Sequence, residues 1–360
     1  MNVRLRNRLL LTIVVGIALV AIDLAVGIVY SVVTEDMTEK YFSYDEEIGL
    51  LHKLNVSIEM PWPEYGREMV HFRTNNLGFR ENTATDSVTH HRTRVLVFGD
   101  SHTDGVIDND ESFSNLIEAG LNRGDTLGVE IINAGVGLFT LKSQWQLCRR
   151  FLWLKPDVVV FAIFTGNDYA EILHPPLRPS IFDHWLKNGI VPRIFRKLNF
   201  TSRARAERIN QYAMWQSLGQ ADFFKRHPEK FAEASRLHEE LVARIQANTQ
   251  KQNIKVLFLI LPSKYSVERE SLQDFELMEK ILNLQAEDRL EYRIADDLRG
   301  IFHRRQVNFV DVQSEIILSE QGKSLFWNAD HHLGREGHMV VAGIVEPVLA
   351  SIIESRLTAP

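Results

Sequence analysis

The fold of this chain is most constrained by short, continuous apolar runs that alternate with amphipathic segments. Apolar runs without polar alternation are typical of strands in a parallel sheet that helices cover on both faces. The runs occupy residues 94–98, 129–133, 157–163, 254–261 and 307–312. Helix-like segments occupy residues 111–122, 140–154, 229–252, 285–305 and 337–355. This order predicts an α/β domain with a doubly wound, flavodoxin-like parallel sheet of about five strands.

A long apolar run near the N-terminus, residues 9–33, predicts a membrane-spanning helix. Its length of about 25 residues is enough to cross the ~30 Å hydrocarbon core of a bilayer. Arg4, Arg6 and Arg8 precede the run and acidic residues follow it, which favours an N-terminus in the cytoplasm. Asp23 is the one charge inside the run.

A cleaved signal peptide is the alternative interpretation of this run. The apolar core of a signal peptide is usually ~7–15 residues long, and residues 9–22 alone would suffice. Residues 25–27, Ala-Val-Gly, offer a weak cleavage site. Because the apolar residues continue to Val33, we expect an uncleaved anchor in the inner (cytoplasmic) membrane. The rest of the chain would then be periplasmic or otherwise extracytoplasmic.

The remaining sequence predicts one large domain and a short stem. Residues 1–8 would be a cytoplasmic N-terminus, and residues 34–91 a stem that packs on the domain formed by residues 92–360. A long insertion at about 170–225 follows the third predicted strand, and long excursions of this kind are often lids. The net charge of −6 argues against a general nucleic-acid binder, and a single cysteine excludes an intrachain disulfide.

Polar and glycine-rich motifs follow the first three predicted strands and precede the last helix. They are Gly-Asp-Ser at 99–101, Asn-Ala-Gly-Val-Gly at 133–137, Thr-Gly-Asn-Asp at 165–168 and Asp-His-His at 330–332. Ligands of such sheets bind beyond the carboxyl ends of the strands. We therefore expect these motifs to form one site.

Together, these motifs resemble those of the SGNH (GDSL-type) hydrolases. The resemblance consists of Gly-Asp-Ser followed by Gly105, a glycine block, Gly-Asn-Asp, and an aspartate and a histidine near the C-terminus. It covers about residues 92–355. The preceding TNNLGFR, residues 74–80, looks like the lead-in of membrane-anchored members associated with cell-envelope polysaccharide.

The resemblance implies a catalytic role for each motif. Ser101 would be the nucleophile, His332 the base that takes its proton, and Asp330 the carboxylate that orients the imidazole. The oxyanion would be stabilised by the backbone N–H of Ser101, a backbone N–H at Gly137 and the side-chain amide of Asn167.

Two positions leave alternatives open. The family often places its aspartate three residues before the histidine, but position 329 is alanine, and Asp330 lies two before His332. His331 is therefore an alternative base, and we favour His332 because its distance to Gly337 matches the family spacing. In the glycine block, the usual spacing falls on Leu138, and a shift by one residue gives Gly137.

Other polar residues near the predicted site have two interpretations each. Lys264, after the fourth strand, would attract an anionic or carbonyl-bearing substrate or be a solvated loop lysine. His102 would contact substrate or lie on the surface. Because no acidic or histidine partner at ligand spacing lies near the other strand ends, we do not expect a metal. We also expect no cofactor.

These observations predict a membrane-anchored serine esterase that acts on O-acyl groups, chiefly O-acetyl, of a cell-envelope carbohydrate through an acyl-Ser101 intermediate. An O-acyltransferase with the same triad is one alternative, because the acceptor pocket decides between water and a sugar hydroxyl. A non-catalytic subunit of a polysaccharide export or assembly complex is the other. The expected partners are an acylated glycan or other ester and the membrane, while protein partners and oligomeric state stay open.

Overall fold

The structure is a computed structural model of the 360-residue chain. It describes residues 3–33, 40–61, 69–85, 93–123, 128–174, 217–268, 273–319, 324–327 and 331–357. The chain forms two compact units. The first comprises Met1–Phe42 and Leu177–Arg205, and the second comprises Ser43–Pro176 and Ala206–Pro360.

Helix α1, Val3–Val33, is the described part of the first unit that corresponds to the predicted membrane span. Its apolar side chains between Leu10 and Ile22 are largely exposed. By length and composition, two described helices are apolar enough to cross a membrane, Arg6–Ala25 within α1 and Arg335–Arg356 near the C-terminus. The second of these belongs to the core of the α/β unit, where it buries Val345 and Leu349.

In the described part of the region predicted as a stem, four short strands precede the main sheet. They form two two-stranded sheets and are β1 (Phe42–Asp45), β2 (Gly49–His52), β3 (Ser57–Pro61) and β4 (Met69–Arg73). A tight turn follows β4, where the Asn75 side chain accepts hydrogen bonds from the amides of Leu77 and Phe79. Gly78 in this turn has φ +82°, and a Cβ there would lie 2.9 Å from the carbonyl oxygen of His52. The TNNLGFR sequence therefore folds as a turn that requires its glycine.

Within the described residues, the main sheet has five parallel strands in the order β6-β5-β7-β8-β9. The strands are β5 (Thr93–Phe98), β6 (Val129–Asn133), β7 (Val158–Phe164), β8 (Lys255–Leu261) and β9 (Asn308–Asp311). Their ends differ from the predicted ones by at most one residue. This order is the flavodoxin-like 2-1-3-4-5 arrangement, so the predicted fold class is confirmed.

Helices connect the strands and close the chain. The helices that follow β5 are α2 (Ser101–Asp104), α3 (Phe113–Leu121), α4 (Leu141–Phe151), α5 (Asp168–Glu171), α6 (Gly219–Arg226), α7 (Pro228–Lys251), α8 (Lys264–Val267), α9 (Gln273–Leu282), α10 (Glu291–Arg305), α11 (Val312–Ser319) and α12 (Arg335–Leu357). Short 3-10 turns occupy Asn109–Glu111, Leu152–Leu154 and Ala286–Asp288.

One predicted helix begins later than expected. The segment 285–305 was expected to be continuous, but α10 starts at Glu291. The side chains of Gln285 and Asp288 form a reciprocal capping box that closes the preceding residues into a separate 3-10 turn. These side-chain hydrogen bonds compete with the continuous backbone ladder, and the helix restarts after them.

The sheet is covered on both faces. On one face, strand residues such as Val97 and Val160 pack with Ile117 of α3 and Val341 of α12. On the other face, Phe161 stacks on Phe258 at 5.7 Å between ring centroids, and Phe258 stacks on Phe302 of α10 at 4.9 Å. All seven residues of β7 are buried. Burial on both sides explains why the strands have no polar alternation.

Candidate active site

The site is built around a tight turn at the carboxyl end of β5. Asp100 caps helix α2, and its side chain accepts a hydrogen bond from the His102 amide at 3.0 Å. A Cβ on Gly99 would lie 1.9 Å from Thr103 Oγ1, so this position requires glycine. The half-buried Ser101 is the first residue of α2, and its amide therefore has no acceptor within the helix.

His332 reaches Ser101 from the loop that precedes α12. Its Nε2 atom lies 2.8 Å from Ser101 Oγ. The loop is closed by hydrogen bonds from the Trp327 amide to the His332 carbonyl, 2.9 Å, and from the Gly334 amide to the Leu325 carbonyl, 2.8 Å. It is thus His332, the favoured of the two histidines, that the structure places against Ser101. Asp330 lies outside the described residues.

His331 has a left-handed backbone, with φ 66°. Its amide donates to the Trp327 carbonyl at 3.2 Å, and its side chain is buried. At this reversal of the backbone, it is the ring of His332 that contacts the nucleophile Ser101.

The glycine block after β6 lies directly behind α2. A Cβ on Gly135 would lie 2.5 Å from the backbone nitrogen of Asp104, so glycine permits this close approach. Within the block, the Gly135 amide donates to Asn133 Oδ1 at 3.0 Å and the Val136 amide to the Gly99 carbonyl at 3.1 Å. Among the described residues, the amides of Gly137 and Leu138 donate to no acceptor. Leu138 has φ 66° and a half-exposed side chain. Both predicted alternatives therefore keep an open donor.

Asn167 follows β7 and stands at the N-cap of α5. Its Nδ2 donates to Glu171 Oε1 at 2.8 Å, which uses one of its two amide hydrogens. Glu171 was not singled out from the sequence, although its position four residues after Asn167 on a helix allows this contact. Burial, reinforced by the charge of Asp100, raises the pKa of Glu171 to about 7.

Two further carboxyl groups are buried at this edge of the sheet. Burial raises the pKa of Asp100 to about 7, against the opposing effect of the His102 amide. Burial and then the Asp100 charge raise the pKa of Asp168 well above its ordinary value. Asp168 Oδ2 accepts from the Phe164 amide at 2.9 Å and so fixes the loop that carries Asn167.

His102 lies behind Ser101 and not on a substrate surface. Its side chain is 1% exposed, stacks on Phe164 at 3.8 Å and lies 4.9 Å from the His332 ring. Burial, followed by the charge of His332, lowers its pKa well below the ordinary value, which keeps it neutral. The expectation of a substrate contact or a surface position is corrected, because the apolar wall formed with Phe164 encloses the ring.

Lys264 is also enclosed, which corrects both interpretations of this residue. Its side chain is 2% exposed, and Nζ donates to the Trp327 carbonyl at 3.1 Å and lies 3.7 Å from Glu268 Oε2. Glu268 in turn accepts from the amides of Leu325 and Phe326. The pair therefore holds the strand-like segment next to His332 in place.

The insertion predicted at about 170–225 lies mostly outside the described residues. Its last part forms α6, where Gln220 Nε2 donates to the Thr165 carbonyl at 2.8 Å and Oε1 accepts from the Ala170 amide. Helix α6 thus returns the chain to the Asn167 loop. Within the part of the chain that the structure describes, no group of three His, Cys, Asp or Glu side chains is placed to hold a metal ion.

No protein-family model and no curated protein matches this sequence. Similar solved structures include the acetyl xylan esterase AlAXEase, with 18% identity over 71% of this chain and 99% of the other, at a TM-score of 0.40. A catalytic mutant of Axe2, an acetylxylan esterase from Geobacillus stearothermophilus, has 15% identity over 72% and 94% of the chains and a TM-score of 0.38. A lipase/acylhydrolase from Enterococcus faecalis has 11% identity over 72% and 95%, at 0.40.

Proposed function

We propose that this protein is an SGNH-type serine ester hydrolase. The observation that carries the proposal is the 2.8 Å contact between His332 Nε2 and Ser101 Oγ at the carboxyl end of a central strand of a flavodoxin-like sheet. A serine hydroxyl becomes nucleophilic when a neighbouring imidazole takes its proton. Ester hydrolysis also requires hydrogen-bond donors for an oxyanion, and the open amides near this serine supply them.

The reaction follows from these positions. His332 accepts the Ser101 proton as Oγ attacks the ester carbonyl carbon, and the carbonyl oxygen gains the negative charge. The Ser101 amide, an amide at Gly137 or Leu138 and the remaining Asn167 hydrogen stabilise this oxyanion. The ester C–O bond then breaks, and the leaving alcohol takes the proton from His332. Water attacks the acyl-Ser101 ester by the same steps and releases the acid.

We assign Asp330 the role of orienting His332, on the sequence resemblance. A carboxylate that accepts from the Nδ1–H group of the imidazole fixes the tautomer in which Nε2 is free to accept the serine proton. Replacing Asp330 by asparagine is expected to favour the other tautomer and to lower kcat.

The substrate we propose is an O-acylated, chiefly O-acetylated, carbohydrate of the cell envelope. The support is the TNNLGFR lead-in and the apolar helix α1, whose exposed side chains suit a bilayer better than water. With Arg6 and Arg8 before the apolar segment, we place the N-terminus in the cytoplasm and the domain outside it. An enzyme held at the membrane surface meets polymeric envelope substrates more often than diffusible esters.

The test uses the full-length chain in detergent micelles with p-nitrophenyl acetate and with an acetylated oligosaccharide. Wild type is expected to release acetate and to be labelled by a fluorophosphonate, while Ser101→Ala and His332→Ala lose both reactions. Ser319→Ala, on the exposed end of α11, is the matched control and should behave as wild type. Turnover that persists in Ser101→Ala would overturn the proposal. Acetyl transfer to an added sugar in place of acetate release would identify a transferase.

A further inference from the structure

Arg80, the last residue of TNNLGFR, is fully buried beneath the nucleophile turn. Its side chain is 0% exposed. Its guanidinium donates to Asp104 Oδ1 at 3.1 Å, to the Gly105 carbonyl at 3.0 Å, to the Ile107 carbonyl at 2.7 Å and to Asn109 Oδ1 at 2.8 Å. One side chain of the stem region therefore holds the whole segment that leaves the Ser101 helix.

His52, at the end of β2, holds the other side of the same carboxylate. Its Nε2 lies 3.1 Å from Asp104 Oδ2, and its Nδ1 lies 3.2 Å from the Gly78 carbonyl oxygen. Both oxygens of Asp104 are thus contacted by residues that precede the main sheet. Burial alone would raise the pKa of Asp104, but the charges and hydrogen bonds of His52 and Arg80 outweigh it and hold the pKa below its ordinary value.

Asp104 is the last residue of the four-residue helix that begins with Ser101. A helix of one turn has too few internal hydrogen bonds to fix its own position. The backbone amide of Asp104 donates to the Asp100 carbonyl at 2.9 Å and contacts Gly135 of the glycine block. A shift of Asp104 would therefore move Ser101 relative to His332 and to the open amides.

A buried charged network contributes little to folding stability, because desolvation of the charges offsets most of its electrostatic gain. Its advantage is directional, since a guanidinium fixes several acceptors in one geometry. Displacing a reacting group by about 1 Å costs on the order of 10²-fold in rate. The network contacts the helix that carries the nucleophile, where even a small displacement would be costly.

We propose, on the basis of the esterase function proposed above, that Arg80 and His52 are positioning residues that act through Asp104 to aim Ser101. The stem region would then be part of the catalytic unit and not a spacer between membrane and domain.

The test compares Arg80→Lys, Asp104→Asn and His52→Ala in the full-length chain. Arg80→Lys keeps the charge but cannot reach all of these acceptors. In each of these three variants, we expect kcat to fall on the order of 10²-fold with little change in KM. Labelling of Ser101 by a fluorophosphonate should slow by a similar factor. His52→Gln, whose amide can still donate to Asp104, should restore most of the activity lost in His52→Ala.

Arg94→Lys provides the matched control. Arg94 is also a buried arginine, on β5 itself, and its Nε lies 2.7 Å from Glu130 Oε2 at the opposite edge of the sheet. The Arg94→Lys substitution should lower the unfolding temperature of the protein and leave kcat unchanged. If Arg80→Lys is folded and behaves like Arg94→Lys, with lower stability and normal kcat, the positioning role is wrong and the network is only structural. If wild type itself is neither labelled nor active, the esterase function fails, and the positioning role fails with it.

Discussion

His332 Nε2 lies 2.8 Å from Ser101 Oγ, although 231 positions separate the two residues in the chain. The contact follows from the packing of α12 on α3, because His332 lies three residues before the start of α12 and Ser101 lies twelve residues before the start of α3. Residues of both helices share one apolar cluster with the sheet. The distance between base and nucleophile is therefore fixed by the core and not by the loops alone.

This geometry predicts different effects for the two adjacent histidines. His332→Ala is expected to lower kcat by ~10³-fold or more, since the serine loses the base that takes its proton. His331→Ala removes a buried side chain beside the site but leaves the His332–Ser101 contact in place, and should lower kcat less than ten-fold. Steady-state hydrolysis of p-nitrophenyl acetate measures both. A larger loss in His331→Ala than in His332→Ala would reverse the assignment.

Asn167 is predicted to contribute through the transition state. Asn167→Ala should lower kcat by ~10²–10³-fold, the usual cost of one oxyanion donor, with little change in KM. The control is Asn248→Ala on the exposed side of α7, where Nδ2 donates to the Arg244 carbonyl. Equal kcat in wild type and Asn167→Ala would show that the oxyanion is stabilised by backbone amides alone.

Glu171 is predicted to shape the pH dependence of the reaction. Its pKa is raised to about 7, chiefly by burial and then by Asp100. Above that pH its negative charge lies beside Asn167 and opposes the developing oxyanion, so kcat should fall on the alkaline side. Glu171→Gln keeps an acceptor for Asn167 Nδ2 without the charge. We expect this variant to exceed wild type on the order of ten-fold at alkaline pH.

The raised pKa of Glu171 also predicts how the stability of the protein changes with pH. The folded chain binds a proton at Glu171 more tightly than the unfolded chain, in which the pKa of this carboxyl has its ordinary value of 4.5. Stability from this group is therefore present below about pH 4.5 and declines as pH rises towards about 7. Chemical denaturation across this range should show a smaller decline in Glu171→Gln. Superimposable kcat and stability profiles for the two proteins would contradict both expectations.

The sheet was predictable because the centre of each strand is apolar, while polar residues such as Arg94 and Asn308 lie near the strand ends. In a strand covered on both faces, residues that point to either face are apolar, and the carboxyl ends of β5 to β9 are marked by glycine, proline or polar residues. The site was predictable for a related reason. In a parallel sheet every carboxyl end reaches the same edge, so motifs distant in sequence converge there.

What sequence could not supply were contacts set by tertiary packing. Nothing in the local sequence distinguishes a solvated Lys264 from one enclosed against Trp327, or places Arg80 against Asp104. The spacing to Gly337 favoured His332 over His331, but it did not reveal the backbone reversal at φ 66° in His331 that accompanies this arrangement. The start of α10 depended on a side-chain capping box that competes with helix formation.

Gly135 is predicted to be essential for the shape of the site. A Cβ there would meet the backbone of Asp104 at 2.5 Å, and backbone cannot yield as a flexible side chain does. Gly135→Ala should therefore displace α2 and lower kcat on the order of 10²-fold. Gly343→Ala, inside α12 with nothing within 4 Å of the new Cβ, is the control. It should raise stability by ~0.5–1 kcal/mol and leave activity unchanged.

Lys264 is predicted to act on stability through Glu268. Lys264→Met would remove the charge 3.7 Å from a largely buried carboxylate and leave the Trp327 carbonyl without this donor. Because removing one partner of a buried pair leaves the other without that counter-charge, we expect a loss of about 3 kcal/mol in the free energy of unfolding. The loss should be smaller at about pH 5 than at about pH 8, since burial raises the pKa of Glu268 and a protonated carboxyl needs no counter-charge.

The double variant Lys264→Met with Glu268→Gln separates charge from packing. A glutamine oxygen can still accept from the amides of Leu325 and Phe326, so the segment next to His332 keeps those hydrogen bonds. If the loss of this counter-charge is the cause, the double variant should be more stable than Lys264→Met alone. Additive losses in the double variant would instead mean that Lys264 stabilises the loop through its own hydrogen bond to Trp327.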